Sequence, residues 1–334
     1  MRFLIAPALA ALLVVRQEEQ KVARGQPVPD FEFITVLGGD GRTKLSEFHG
    51  QPVLIAWYST VFAGVEGARA AVDMEEEFNK ERGAGGLVVF LMEIKNHDAA
   101  YLRGLQMAEL PGADCRLLRN QELPVSYDDA TGLPPKMVLV GVDGTLLYAG
   151  SYQRSGEVKK LLKEELGKMD KGWGADPLAR KARALGWGQG KLGEARTLLE
   201  NALAQGGNEE LTALAAEIDR HFEALARSVQ YHLDQGEPRL ALRATGDMAV
   251  AAAGYPTWLT RTNEAIGLAA RESIREAELE TRLDTLLKPT LKSKPKKGLD
   301  EKLRAFATGE ANGTKVGARA ARLADAVTQA LGEL

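Results

Sequence analysis

The chain has one cysteine, Cys115, in 334 residues. A single thiol excludes an internal disulfide, a Cys-x-x-Cys redox pair and any cysteine-based metal site. In an oxidising compartment such a thiol is buried, free or joined to another molecule, and Cys115 reads as a buried structural thiol. Histidine is scarce too. His49, His97, His221 and His232 are scattered, and the sequence places no pair of them on one site. Positive charge is not in excess either: 43 Lys and Arg against 46 Asp and Glu give a net charge of −3. That argues against a broadly nucleic-acid-binding surface and leaves only local basic patches open.

The apolar stretch behind Arg2, Phe3 to Val15, is thirteen residues long, short of the ~20 a helix needs to cross a bilayer. With the polar restart RQEEQ after it, the stretch has the form of a secretory signal, and Ala8-Leu9-Ala10 is a small-x-small cleavage candidate. The expectation is a leader over residues 1–24 and export to the periplasm or cell envelope. Membrane contact is then limited to this segment, if it stays uncleaved. No cysteine follows the run to carry a lipid.

What is present is enough for two globular domains, with 45% apolar and 27% charged residues. Val53–Tyr58 and Leu87–Met92 are almost continuously apolar, like strands buried on both faces. Between them Ala68, Ala71, Met74 and Phe78 recur at helical steps, and Gly83 and Gly85-Gly86 end the helix. Its Glu75–Glu77 run reads as a solvated face. Upstream, Asp40-Gly41 signals a hairpin between Phe31–Val36 and Thr43–Leu45, with Ser46 capping a helical turn. Downstream, His97-Asp98 opens a helix over Ala99–Glu109, and Cys115–Leu118 reads as a strand. Met137–Val142 and Thr145–Tyr148 flank the hairpin signal Asp143-Gly144, and Glu157–Met169 closes the unit. The fold class is α/β, a mixed sheet flanked by helices over residues 25–170.

From 171 to 334 strand signals nearly vanish, and an all-α domain of helical hairpins is expected. KGWGADP reads as the linker, with Asp176 as N-cap and Pro177 at N1 of the first helix. KPTLKSKPKKG, residues 288–298, reads as an exposed loop. Gly190 precedes Ala195, Leu198, Leu199 and Ala202 much as Gly236 precedes Ala241, Ala244 and Met248. The pattern is faintly tetratricopeptide-like, but the two turns are 46 residues apart, against 34 in that family.

Gly25 to about Gly150 resembles the thioredoxin-like family, which includes thiol-disulfide reductases and the redoxin branch. The residues that carry the resemblance are Pro29-Asp30-Phe31, the run LSEFHGQPVLIAWYST, and Gly132-Leu133-Pro134 ahead of a strand and Asp143-Gly144. It implies that Pro134, behind Leu133, is the family's cis-proline facing an active-site loop that holds extended peptide. It also implies a Trp-x-x-x-x-Cys-x-x-Cys loop starting at Trp57. Here Phe62 and Val65 stand in the thiol positions, with Ala63 and Gly64 between them. In working relatives the first thiolate attacks a disulfide and the second resolves the mixed disulfide. Phe62 and Val65 can do neither, so the site is degenerate and no catalytic residue, metal or cofactor is assigned.

Three classes of function follow. The first is a redox-inactive binding or scaffold protein taking a protein or extended peptide partner, but no nucleic acid. The second is an oxidoreductase using Cys115, beside Arg116, with an external thiol. The third resembles glutathione transferases, with Ser59 or Thr60 as the activating hydroxyl.

Overall fold

The computed structural model describes residues 21–59, 64–80, 85–95, 97–110, 116–128 and 136–332. Its continuous apolar runs are the inner strands of a six-stranded sheet. The strands are β1 (Thr35–Leu37), β2 (Val53–Tyr58), β3 (Val88–Glu93), β4 (Arg116–Leu118), β5 (Lys136–Val140) and β6 (Leu146–Ser151). They lie in the order β1-β4-β3-β2-β5-β6. β2, β3 and β4 are parallel, while β1, β5 and β6 each pair antiparallel to a neighbour.

Side chains alternate between two cores, as pleating requires. Leu54, Ala56 and Tyr58 point into one, covered by α1 (Gly64–Asn79), α2 (Ala99–Glu109) and α3 (Ser155–Lys171). Val53, Ile55, Phe90 and Met92 point into the other, closed by Val28, Phe33, Leu45 and Phe48. Phe33 stacks on Phe90 with ring centroids 4.2 Å apart. The inner strands are apolar along most of their length, apart from Glu93, Arg116 and Lys136 at their ends, because each face has its own core.

The N-terminal segments pair antiparallel as expected, Phe33 N–H donating to the Thr43 carbonyl and Leu45 N–H to the Phe31 carbonyl, but their connection and the place of β1 differ from the reading. Glu32 bridges Lys44, but β1 begins only at Thr35 and pairs with β4. Gly38, Gly39 and Gly41 all take positive φ, so the chain swings wide here and makes no two-residue turn. Ser46 is not a cap: its N–H and hydroxyl donate to Asp30, and Lys44 precedes the 3-10 turn Leu45–Phe48.

Beyond α3 come α4 (Pro177–Arg183), a π-helical turn at Ala184–Gly188, α5 (Leu192–Ala204), α6 (Glu209–Gln235), α7 (Pro238–Ala252), α8 (Leu259–Leu287), α9 (Leu299–Thr308) and α10 (Lys315–Gly332). Asp176 caps α4 by accepting from Leu178 and Ala179 N–H, with Pro177 behind it. Gly236 ends α6 in the left-handed conformation. α6 and α8 have 27 and 29 residues, each most of a whole 34-residue tetratricopeptide unit. The hairpins are therefore unequal and do not form that repeat. None of these helices is long and apolar enough to cross a membrane. Residues 1–20, with most of the expected leader, lie outside the described residues.

The segment read as a linker is a packed joint. Val142, Leu166 and Met169 share one core with Trp187, Leu214 and Phe222. Trp173 tilts against Trp187 at 5.7 Å, and Arg183 donates to the Trp173 carbonyl. At the other side α10 crosses α2 closely enough that a methyl group added at Gly104 would overlap the Ala326 carbonyl. Lys294, in the lysine-rich loop, pairs with Glu109 at the end of α2. The helices clasp the sheet through both α3 and α2.

Candidate functional site

β2 ends at Tyr58 and α1 opens at Gly64, so the turn between them lies at the C-terminal end of the central strand. Trp57 is half-buried on the last turn-facing residues of β2, edge-on to Tyr127 at 5.6 Å and 76°. Lys136, the first residue of β5, sets its ammonium 4.0 Å over the Tyr127 ring. β5 is brought there by its register, with Met137 opposite Ala56. The result is an aromatic pair capped by a cation, an arrangement attractive to Lys136 because the ring face is electron-rich.

Gly64 and Val65 lie in the first turn of α1, and Val65 packs against the core beneath that helix. A valine there adds apolar contact and no reactive group. Glu66 accepts from the Tyr152 hydroxyl at 2.9 Å, and this hydrogen bond raises the phenol above its usual range. Phe62, Ala63, Thr60, Leu133, Pro134 and Cys115 lie outside the described residues. Ser59, the other hydroxyl considered, is buried just past β2.

The next strand contributes a group the sequence reasoning missed. Glu93 closes β3 opposite Tyr58 and is 2% exposed. Its carboxylate accepts from the Lys95 and His97 N–H groups at 2.7 and 3.1 Å and faces His97 Nδ1 at 3.2 Å. The His97 ring stacks on Tyr101 at 3.9 Å. Asp98 caps α2, accepting from Tyr101 N–H at 2.8 Å. A carboxylate ending an otherwise apolar run was the available signal for Glu93. Tyr127 and Lys136 left no such mark.

The other histidines are elsewhere. His49 follows the 3-10 turn at Phe48, and His221 and His232 are on α6. Arg116, the neighbour of Cys115, pairs in register with Phe90, itself opposite Ile55. That level is three residues, roughly 10 Å, short of the Tyr58 end of β2. Arg116 directs its guanidinium at Asp40 (3.2 Å) and Glu75 (3.7 Å). Among the described residues no cluster of three or more His, Cys, Asp or Glu is placed to hold a metal ion.

No family model and no curated protein matches the chain. Solved structures similar to it include the thioredoxin domain of a thiol-disulfide oxidoreductase from Bacteroides vulgatus, 12% identical over 43% of this chain and 98% of that one, with a TM-score of 0.31. An exposed lipoprotein thioredoxin from Streptococcus pneumoniae is 20% identical over 41% of this chain and 99% of that one, TM-score 0.29. A thiol:disulfide interchange protein from a Bacteroides species is 14% identical over 43% and 90%, TM-score 0.31. The strand order and directions set out above, with a helix leaving the end of the central parallel strand and an antiparallel hairpin beside it, give the sheet part of this chain a thioredoxin-like fold.

Proposed function

We propose that this chain is a thioredoxin-like binding protein of the cell envelope that has no disulfide-reductase turnover and engages an extended peptide or protein partner. The observation that carries this reading is the lack of sulfur between Trp57 and Val65, with Val65 turned to apolar packing at the head of α1. Trp57, Tyr127 and Lys136 form an aromatic and cationic group at the C-terminal end of β2. Peptide held by such a surface needs no thiol, because main-chain hydrogen bonds and side-chain pockets supply the affinity. The envelope location rests on the charge and apolar pattern of residues 1–24.

Two measurements on the full chain test this. Insulin reduction by dithiothreitol should proceed no faster with the protein than without it. Reduced, carboxymethylated α-lactalbumin, an unfolded chain with no disulfide, should bind, and Trp57→Ala should weaken that binding at least tenfold. Catalytic reduction that Cys115→Ser abolishes would overturn the reading and put the chemistry on Cys115 with an external thiol.

A further inference from the structure

Between α2, α8 and α10 the helices leave a cavity of about 400 Å³, within the range of small-molecule sites. Arg103, Gln106, Met107 and Leu110 recur at three- and four-residue steps and form its wall on α2. Arg319 and Leu323 of α10 line it too, with Asp284 and Leu287 of α8. Arg103, Glu237, Leu240, Arg319 and Leu323 also line an adjoining cavity of about 240 Å³, so the two meet at these residues. Arg322 lines only the second.

The lining changes character along the first cavity. Arg103 and Leu110 stand on one face of α2, roughly 10 Å apart along the helix. Lys294 pairs with Glu109, which sets the end of α8 and the turn after it beside Leu110. Here Met107, Leu110, Leu287 and Leu291 face the cavity, and Leu291 is 58% exposed at its mouth. Among the described residues no aromatic ring lines this cavity.

At the Arg103 end the carboxylates are taken and two cations are left over. Asp284 is held by Arg239 at 2.7 Å and Asp325 by Arg304 at 2.8 Å. Glu237 faces His232 Nδ1 at 3.0 Å and lies 3.6 Å from Arg319, which is 3.7 Å from Glu280 as well. Burial would raise the Glu237 carboxyl, but the His232 hydrogen bond, Arg319 and Arg103 outweigh it and hold the carboxyl below its usual range. Among the described residues no carboxylate stands at ion-pair distance from Arg103 or Arg322. Arg103 Nη1 donates to Gln106 Oε1 at 2.6 Å, and Arg322 Nη2 to the Gln235 carbonyl at 2.9 Å. Arg103 Nε and Nη2 and the Arg319 nitrogens make no hydrogen bond among the described residues, yet none of them is shut off from solvent. Open guanidinium donors at one end and an aliphatic wall at the other match an anion with an apolar tail.

We propose that this cavity binds an unbranched aliphatic carboxylate, a medium-chain fatty acid, with its carboxylate on Arg103 and Arg319 and its chain running past Met107 to Leu291. The carboxylate takes charge-assisted hydrogen bonds, the strong kind, and the chain shields Leu291 from water. The site does not depend on what the β2–α1 turn binds.

The probes are hexanoate, octanoate and decanoate, titrated into the full chain by calorimetry, with octanol as the uncharged comparator. One decanoate should bind per chain, and each added methylene should tighten binding about fourfold. Octanoate should bind at least about tenfold tighter than octanol, the size of one charged hydrogen bond. Arg103→Gln breaks no ion pair among the described residues; it should erase that preference while octanol binds as before. Leu291→Ser, at an exposed position outside the packed core, should weaken decanoate more than hexanoate. No binding of decanoate at millimolar concentration would mean that water alone hydrates the two guanidiniums, and would overturn the proposal. Binding that ignores chain length would put the anion on the exposed lysines of residues 288–298 and overturn it as well. So would an octanoate preference unchanged in Arg103→Gln.

Discussion

A methyl group at Gly50 has nowhere to go. The backbone there has φ 91°, and an added Cβ would overlap the Trp187 indole, which cannot swing aside without leaving the shared core. Gly50→Ala should therefore cost more than about 2 kcal/mol by urea unfolding, combining left-handed strain with overpacking. Trp187→Leu in the same chain should recover part of that loss, since it removes the clash but not the strain. His221 sets a pH dependence at the same interface. Its pKa falls from 6.5 in the unfolded chain to about 3 in the fold, through burial first and then Arg42, with Asp40 opposing. Between those values the unfolded chain takes up a proton that the folded one refuses, so stability is full above pH 6.5 and declines as pH drops toward 3. His221→Leu should flatten that decline between pH 6.5 and 4 in denaturant titrations, and an unchanged slope would show that other groups cause it. Below 3.8 a further loss comes from Asp40. Burial would raise its pKa, but Arg42 and Arg116 outweigh burial and hold the carboxyl well below its usual range. Residues of this kind are the least legible in sequence. Trp57 could be named because the resemblance starts the active-site loop there, whereas Tyr127 meets it from a distant segment with no local period to mark the meeting.

Element boundaries were readable wherever a local chemical signal fixed them. α2 runs from Ala99 to Glu109 as read, because Asp98 supplies its cap. Asp143-Gly144 turns between β5 and β6, with Gly144 at φ 79°. The pairing of Phe31 and Phe33 with Leu45 and Thr43 was legible, but that of β1 with β4 was not, because β4 is distant in the chain and only three residues long. A second feature of the elements was hidden for the same reason. Glu276 and Glu280, four residues apart on α8 and both buried, reach out to cap other helices. Glu276 accepts from the Lys315 and Val316 N–H groups at the head of α10. Glu280 accepts from Arg239 N–H at the head of α7. The sequence around them looks like an ordinary charged helix face, and only packing shows where the carboxylates point. Anions at helix N-termini satisfy donors that the helix cannot bond itself. Glu276→Ala should cost about 1.5–3 kcal/mol, as charged hydrogen bonds do. Hydrogen exchange should quicken first at the amides of Lys315 and Val316, and uniform quickening across all helices would contradict the capping role.

At the scale of the whole molecule, the question is whether sheet and helices unfold separately, as two domains joined by a loose linker would. The packing argues for one unit. Val142, Leu166 and Met169 from the sheet part lie in the same core as Trp187 and Phe222, and Phe222 stacks on Trp258 at 4.1 Å. Tyr231 of α6 donates to the Gly38 carbonyl, Arg227 pairs with Glu47, and α10 seats on α2 through Gly104. Melting the helices would expose Val142, Leu166 and Met169 and strip α2 of its cover, so neither part keeps its buried surface alone. Heating should then give one transition, with calorimetric and van't Hoff enthalpies in a ratio of about one. Trp187→Ala removes the side chain that joins the two parts and should cost about 3–5 kcal/mol, as truncating a buried aromatic does. If the joint is what couples them, the enthalpy ratio of that variant should rise above one as the single transition broadens or splits. Two resolved transitions in the unaltered protein would mean that the common core does not bind the parts into one cooperative structure.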